Sequence, residues 1–400
     1  MAKVTVVIPN YNGKHFMDAC MSALAKQTYT DFRVLIVDNG STDGSVAYLK
    51  ALVAETSVEV LYMAENTGFS TAVNAGIALS DTEYVILLNN DTEVFPDYIE
   101  QLVAAAERGP KPERTFAASP MMIQLYHQEL LDDAGDGYCY LGWAFQRGVG
   151  QPVSEPKFQQ EKTVFSACAG AALYRRKVFE EIRLKKTETT VRVHGFDHLA
   201  YDPVDAVCLG LPENQLRKKL SLLYNEDDAQ ATRKQRKVFG ELVSEIEIPS
   251  YFDPMHFAYL EDLDVSFRAG IHGYRVCYAP DAKVYHVGSG TSGSRYNAFK
   301  VRLAARNNVF LNYKNMPLLM LLLNLPGILL GVLVKIAFFA RLGFAKDYIS
   351  GFFEGISKLP AIHKHKTGYR PWRTWNYLVL EARLLADTCS YVQDVLKRHL

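Results

Sequence analysis

The most constraining feature of this chain is a short apolar run, Tyr84–Leu88, that stops abruptly at Asn89-Asn90-Asp91. Continuous apolar runs of this length fit strands buried on both faces of a parallel sheet. Polar side chains at the carboxyl end of such a strand sit where open α/β sheets bind ligands. A carboxylate there offers oxygen to a hard cation, and such a cation can hold a diphosphate. Taken alone, the same residues read as a strand entering an Asx turn.

They do not stand alone. Residues 4–8 read as a first strand ending in Pro9-Asn10-Tyr11-Asn12-Gly13, and residues 33–37 as a second ending in Asp38-Asn39-Gly40-Ser41. Residues 58–63 read as a third, followed by Glu65-Asn66-Thr67-Gly68. Helical apolar spacing fills the intervals over 14–27, through Val46, Leu49 and Val53, and near 70–79. Another helix over 96–107 has Pro96 at its start, where the first turn tolerates it. Strand–helix alternation at this spacing predicts a parallel sheet with right-handed crossovers. That sheet brings the ends of strands one, two and four to one edge. No Gly-x-Gly-x-x-Gly follows the first strand, which argues against a dinucleotide. Asp38 can accept a hydrogen bond from a base N–H, Tyr11 can stack on its ring, and Asp91 can take a metal on the diphosphate.

Length and apolar content suit two or three domains with real cores. Lys plus Arg equals Asp plus Glu, so no global basic field points to nucleic acid as a partner. Cys20, Cys139, Cys168, Cys208, Cys277 and Cys389 are scattered without a Cys-x-x-Cys. That pattern suits a reducing compartment and supplies neither a zinc site nor a disulfide framework. The chain enters its first strand directly after Lys3, with no apolar leader, so no signal peptide is expected.

Beyond residue 113 the pattern is less regular. Residues 116–119 read as a fifth strand, and 136–150, rich in Gly and aromatics, as antiparallel strands or loops. Two strand-like pieces lie within 163–174 around Ala169-Gly170. Residues 183–248 are charged and read as an insertion with a helical stretch near 213–247. His194, Asp197 and His198 within it match no metal spacing. A helix over 257–271 carries Glu261-Asp262-Leu263-Asp264, and strands follow at 274–278 and 282–286. The Gly-Ser-rich loop 288–293 is suited to close over a ligand.

From 317 to 340 the chain is almost wholly apolar, interrupted by Asn324, Pro326, Gly327, Gly331 and Lys335. A span needs about 20 apolar residues, so the length is borderline. The Pro-Gly pair favours two short helices dipping into one leaflet over a clean crossing. Arg341, Lys346, Lys358, Lys364, Lys366, Arg370 and Arg373, with Trp372 and Trp375, suit an anionic membrane surface. A buried helical hairpin with a solvated basic face is the competing reading.

Val-Ile-Pro-Asn-Tyr-Asn-Gly (7–13), Val-Asp-Asn-Gly-Ser-Thr-Asp-Gly-Ser (37–45), Asn66-Thr67-Gly68, Leu-Asn-Asn-Asp-Thr (88–92) and Leu-Glu-Asp-Leu-Asp-Val-Ser-Phe-Arg (260–268) together resemble family 2 glycosyltransferases. The rhamnosyltransferase-like group that builds bacterial surface polysaccharides is the nearest in flavour. The resemblance covers roughly residues 3–315 apart from the insertion, and the motifs are specific jointly rather than singly. It implies an α/β GT-A fold, with a helical insertion and a helical, membrane-associating C-terminal region. The nucleotide-sugar half would be 1–112, the acceptor and catalytic half 113–315, and the membrane-associated region 316–400. It also implies inversion at the anomeric carbon of a nucleotide-diphospho-sugar donor (dTDP-, UDP- or GDP-linked). The acceptor would be a glycan or lipid-linked glycan, with the chain at the cytoplasmic face of the inner membrane.

Carried over by position, Asp38 would read the base, with Pro9 and Tyr11 lining its pocket. Asn66, Gly68, Asn90, Gly170 and Glu261 would contact the donor. Asp91 would bind Mn²⁺ or Mg²⁺, and Asn89 stands where the family's motif has its first acid, so the site loses a charge. His286 resembles a histidine that ligates metal in some members, although a packed or hydrogen-bonded histidine is the ordinary reading. Asp262 matches the family's catalytic base, while Asp264 and Arg268 read as an exposed i,i+4 pair. Arg306-Asn307-Asn308 resembles an Arg-Asn motif near the donor phosphates or the 288–293 loop, with a plain helix surface as the alternative. Two rivals remain. One is a catalytically silent sugar-nucleotide-binding or scaffold protein, suggested by Asn89. The other is a nucleotidyltransferase, which would want a Gly-rich phosphate loop that is absent early in the chain.

Overall fold

The computed structural model describes residues 2–184, 188–197, 236–238, 241–288, 296–366 and 373–399. The chain divides into two compact units, Met1–Glu100 with Ala169–Phe257, and Gln101–Cys168 with Ala258–Leu400. In order, the elements begin β1 (Val4–Asn10), α1 (Lys14–Leu24), β2 (Phe32–Asn39), α2 (Ser45–Glu55), β3 (Glu59–Met63), α3 (Phe69–Ala78), β4 (Tyr84–Leu88), β5 (Thr92–Val94) and α4 (Tyr98–Glu107). There follow β6 (Thr115–Gln124), β7 (His127–Asp133), β8 (Asp136–Tyr138), β9 (Ala144–Gln146), β10 (Lys162–Val164), β11 (Ala171–Arg175), α5 (Arg176–Ile182), β12 (Glu188–Asp197), β13 (Arg236–Val238) and β14 (Glu241–Pro249). The remainder is α6 (Glu261–Ile271), β15 (Arg275–His286), α7 (Ala298–Asn315), α8 (Leu318–Arg341), α9 (Ala345–Ser357), α10 (Leu359–His363) and α11 (Thr374–His399).

In the first unit the strand order is β11-β4-β1-β2-β3-β12-β14-β13. The four strands β4, β1, β2 and β3 are parallel. β11 and β12 close them on either side in antiparallel fashion. Because β1 is central, the winding reverses between β1 and β4, and a topological switch of this kind opens a crevice beyond the strand ends. Every residue of β4 is buried, as its unbroken apolar run requires. α3 is buried almost throughout and packs against β1 so closely that a Cβ at Gly76 would lie 2.2 Å from Val7.

The insertion corrects one expectation. Its described part, 236–238 and 241–249, is strand rather than helix, and β14 pairs antiparallel with β12 at the edge beyond β3. The reason is visible in period-2 alternation: Ile246 and Ile248 are buried while Glu245 and Glu247 are less so. The rest of the helical expectation, and His198, lie outside the described residues.

In the second unit β15 runs parallel to β6, with β10 antiparallel on β15 and β7 antiparallel on β6. β8 and β9 form a separate hairpin. The strands expected at 274–278 and 282–286 are one, β15, with a register shift between Ala279 and Lys283. An aromatic and leucine core joins α6, α7, α8 and α11 through Tyr138, Phe165, Phe267, Leu311, Met320 and Leu384. α8 is a single helix containing Pro326, not the two short helices expected. The missing N–H removes one helical bond, and in the turn before the proline the Tyr140 hydroxyl donates to Leu323 O at 2.7 Å.

Candidate active-site residues

In the first unit the candidate residues gather at the carboxyl ends of β1, β2 and β4. Asn10 is fully buried, and both ends of its amide are used. Its Nδ2 donates to Asp38 Oδ1 at 2.8 Å and to Ser41 Oγ at 3.2 Å, and its Oδ1 accepts from Asn90 Nδ2 at 2.7 Å. Asp38 Oδ2 accepts from Ser41 N at 3.1 Å, so the expected base reader also pins the loop after β2. Only glycine fits at position 13, since a Cβ there would lie 2.0 Å from Asn90 Nδ2. Pro9 pairs in register with Val37, and Tyr11 stands beyond the strand end, 38% exposed. Asp91 is buried, and Gly170 O accepts from Asn89 N at 2.7 Å.

A second set of amides continues the network. Asn39 Nδ2 donates to Asn66 Oδ1 at 3.0 Å, and Asn39 Oδ1 accepts from Thr67 N at 3.0 Å. Asn66 Oδ1 also accepts from Gly68 N. Gly68 has φ of 86°, and a Cβ there would lie 2.6 Å from Phe257, so the position needs glycine twice over. Each bond contributes only about 0.5–1.5 kcal/mol. Together they leave these loops few alternative conformations.

The second unit carries Glu261, Asp262 and His286. Tyr259 and Leu260 hold left-handed φ of 70° and 65°, a conformation that costs non-glycine residues roughly 1–3 kcal/mol and concentrates at functional sites. Asn307, fully buried on α7, steadies this turn: its Nδ2 donates to Ala258 O and Tyr259 O, both at 2.8 Å. α6 then starts with Glu261 and Asp262 in its first turn, where the helix dipole favours negative charge. Asp262 is half-buried, and its Oδ1 accepts from Leu263 N at 2.8 Å.

Carboxylates crowd this region. Burial pushes Asp133 up to about 7, with the neighbouring charges of Asp132 and Asp262 adding to the effect. Asp136 rises well above the ordinary carboxylate range through burial and the charges of Asp133 and Asp262. Burial, then the Asp262 charge, does the same to Glu261. His286 Nδ1 lies 2.7 Å from Asp132 Oδ2. A carboxylate on one ring nitrogen is also the arrangement that orients histidines bound to metals. Among the described residues, however, no three His, Cys, Asp or Glu side chains gather to hold a metal ion.

Two readings of α6 and α7 change. Asp264 and Arg268 are a buried pair at 3.1 Å rather than an exposed one, and Lys314 Nζ reaches Asp264 Oδ1 at 2.8 Å with both side chains fully buried. Asn315 adds a bond to the same oxygen at 2.7 Å. Arg306-Asn307-Asn308 is not a helix surface: Arg306 pairs with Glu354, Asn307 steadies the turn before α6, and Asn308 donates to Gly142 O. Of the 288–293 loop, residues 289–293 lie outside the described residues. Sequence reasoning missed Asp132, Asp133, Asp136 and the Asn307 contacts. The tight Asp132-Asp133-Ala134-Gly135-Asp136 spacing after Leu130-Leu131 is the signal that could have found the carboxylates.

The segment that holds the strand-end network and its motifs can be compared with known proteins. Residues 5–183 match glycosyl transferase family 2. The chain is 24% identical over 207 residues to glycosyltransferase GlyG of Streptococcus pneumoniae serotype 4, covering 49% of this chain and 65% of that protein. It is 33% identical over 112 residues to an undecaprenyl-phosphate 4-deoxy-4-formamido-L-arabinose transferase of Proteus mirabilis, covering 27% and 34%. The chain thus spans less than two thirds of the length of these curated relatives. S. aureus TarS 1–349, solved with UDP-GlcNAc, aligns at TM-score 0.49 and 13% identity over 98% of this chain and 92% of that one.

Proposed function

We propose that this chain is an inverting glycosyltransferase that uses a nucleotide-diphospho-sugar donor. The observation that carries the reading is the family 2 match over 5–183, the segment whose strand ends β1, β2 and β4 share one hydrogen-bonded network. In this reading Pro9, Tyr11 and Asp38 bind the base, and Asn66, Gly68, Asn90 and Gly170 shape the donor loops. Asp262 takes the proton of the acceptor hydroxyl as that oxygen bonds to the anomeric carbon and the bond to the diphosphate breaks. Burial and the Asp262 charge raise Glu261 and so favour its protonated form, the form that can donate to a sugar oxygen. Asp91 and His286 are the side chains assigned to a divalent cation, Mn²⁺ or Mg²⁺, which would offset charge on the leaving diphosphate.

The donor is a dTDP-, UDP- or GDP-sugar, with rhamnose as the sugar to try first. The acceptor is a glycan or lipid-linked glycan for surface polysaccharide, with the chain at the cytoplasmic face of the inner membrane. The name of the Proteus relative, which includes a lipid phosphate, and the apolar α8 support that placement. Thermal stabilisation by a panel of such donors, with and without Mn²⁺, tests the reading, because a bound ligand raises apparent stability by mass action. Stabilisation by at least one donor, followed by its turnover with acceptor, is expected; no stabilisation by any donor would end the reading. Asn89 favours one second reading, a silent sugar-nucleotide binder. It requires the same stabilisation with no turnover.

A further inference from the structure

α8 has two unlike faces. The inner face buries Met320, Asn324, Gly327, Gly331 and Phe339. A Cβ at Gly327 would lie 2.3 Å from the Tyr140 ring, and one at Gly331 would lie 2.0 Å from Leu141 O. Asn324 Nδ2 donates to Glu381 Oε2 at 2.9 Å, and Lys335 Nζ sits 4.7 Å over the Trp143 ring. These attachments run nearly the whole length of the helix and fasten it to the β8–β9 hairpin and α11 within the second unit. The outer face is leucine-rich and in water, with Leu319 at 71% and Leu333 at 64% exposure, and Leu322, Leu323, Leu330 and Phe338 beside them.

α11, joined to α8 at Glu381, adds a stripe of its own: Trp375, Leu378, Val379, Leu385 and Val392 are exposed at helical spacing. Exposed apolar surface of this extent marks an interaction site rather than ordinary protein surface. Between residues 341 and 373 the chain has seven Lys and Arg residues against Asp347 and Glu354. Basic residues beside an apolar face complement anionic headgroups.

We infer that α8 lies in the plane of an anionic bilayer, its outer leucine face sunk to the acyl boundary, and does not cross it. A crossing would take Asn324, Glu381 and Lys335 into hydrocarbon together with the hairpin bound to them, and buried charge there is expensive. An in-plane helix leaves its polar attachments on the protein side and needs only one face apolar. As a means of reaching a lipid-linked acceptor the inference rests on the proposed function; the binding itself does not.

The test uses the full chain and phosphatidylcholine–phosphatidylglycerol vesicles, with no donor or acceptor, so its outcome is separate from that of the enzymatic reading. The chain is expected to float with these vesicles, and less with phosphatidylcholine alone. The Leu322→Glu, Leu330→Glu, Leu333→Glu triple variant changes only exposed positions. It should keep its melting temperature and lose vesicle binding by about tenfold or more. Lipids brominated at graded depths then report orientation. Trp at Leu330→Trp and Trp at Leu319→Trp should be quenched best by the same shallow bromines. Deep quenching at 330 with shallow quenching at 319 would show a crossing helix and overturn the inference. So would a chain that ignores vesicles and instead self-associates through this face, with the triple variant monomeric.

Discussion

The two units solve the problem of burying polar groups in opposite ways. The first relies mainly on amides, with Asn10 paired to Asn90 and Asn39 to Asn66, and with one buried carboxylate, Asp38, held by Asn10 and Ser41 N. The second uses ions, with Asp264 held by Lys314, Arg268 and Asn315, and Asp133, Asp136 and Glu261 all pushed up by burial and then by neighbouring carboxylates, Asp262 among them. Amide-to-amide bonds set shape without themselves titrating. A carboxylate cluster stores protons and charge.

Substitutions separate the two designs by size of effect. Asp264→Ala removes the carboxylate that pairs with the buried Lys314 and Arg268 and should cost about 3–5 kcal/mol in denaturant unfolding. Asn10→Ala removes bonds to Asp38, Ser41 and Asn90 and leaves Asp38 Oδ1 without its amide donor while Ser41 N still holds Oδ2, and should cost about 1–3 kcal/mol. If the two losses proved equal, the distinction between ionic and neutral burial would fail. Asn307→Ala should cost about 2 kcal/mol for the two bonds to Ala258 and Tyr259. It should also lower kcat more than it raises the donor KM, because the strained turn positions Asp262.

The pH dependence is the gentlest probe. Asp133 has a folded pKa of about 7 against an ordinary 3.8, so between those values the folded state binds more protons than the unfolded one. Stability from this group is therefore full at low pH and falls as pH rises from about 4 through about 7. Asp136 and Glu261 act with the same sign. Asp133→Asn should flatten that slope in melting temperatures measured across the range, while Asn90→Ala should leave it unchanged.

Much of the first unit was legible because its strands and helices announce themselves by local period, and β4 with its polar stop was read residue for residue. The antiparallel edge was misread where charge content outweighed alternation, since Glu245, Ile246, Glu247 and Ile248 alternate as a strand does. α8 was misread because the cost of Pro326 is local and the packing of Gly327 and Gly331 on the β8–β9 hairpin is not visible along the chain. The same holds for Asp264, whose partner Lys314 is distant in sequence. The carboxylate cluster needed β7, β8 and α6 to be folded together before its crowding could be seen. The strand-end amides sit within motifs, whereas the side chains that crowd the carboxylates come from separate elements.

The central claim is that Asp262 performs the proton transfer while the strand ends of the first unit hold the donor. Donor Kd and kcat measured side by side for Asp262→Asn test it most directly. The account predicts a kcat lower by about 10²- to 10⁴-fold with donor affinity essentially unchanged. Unchanged turnover, or a loss of affinity as large as the loss of rate, would contradict it.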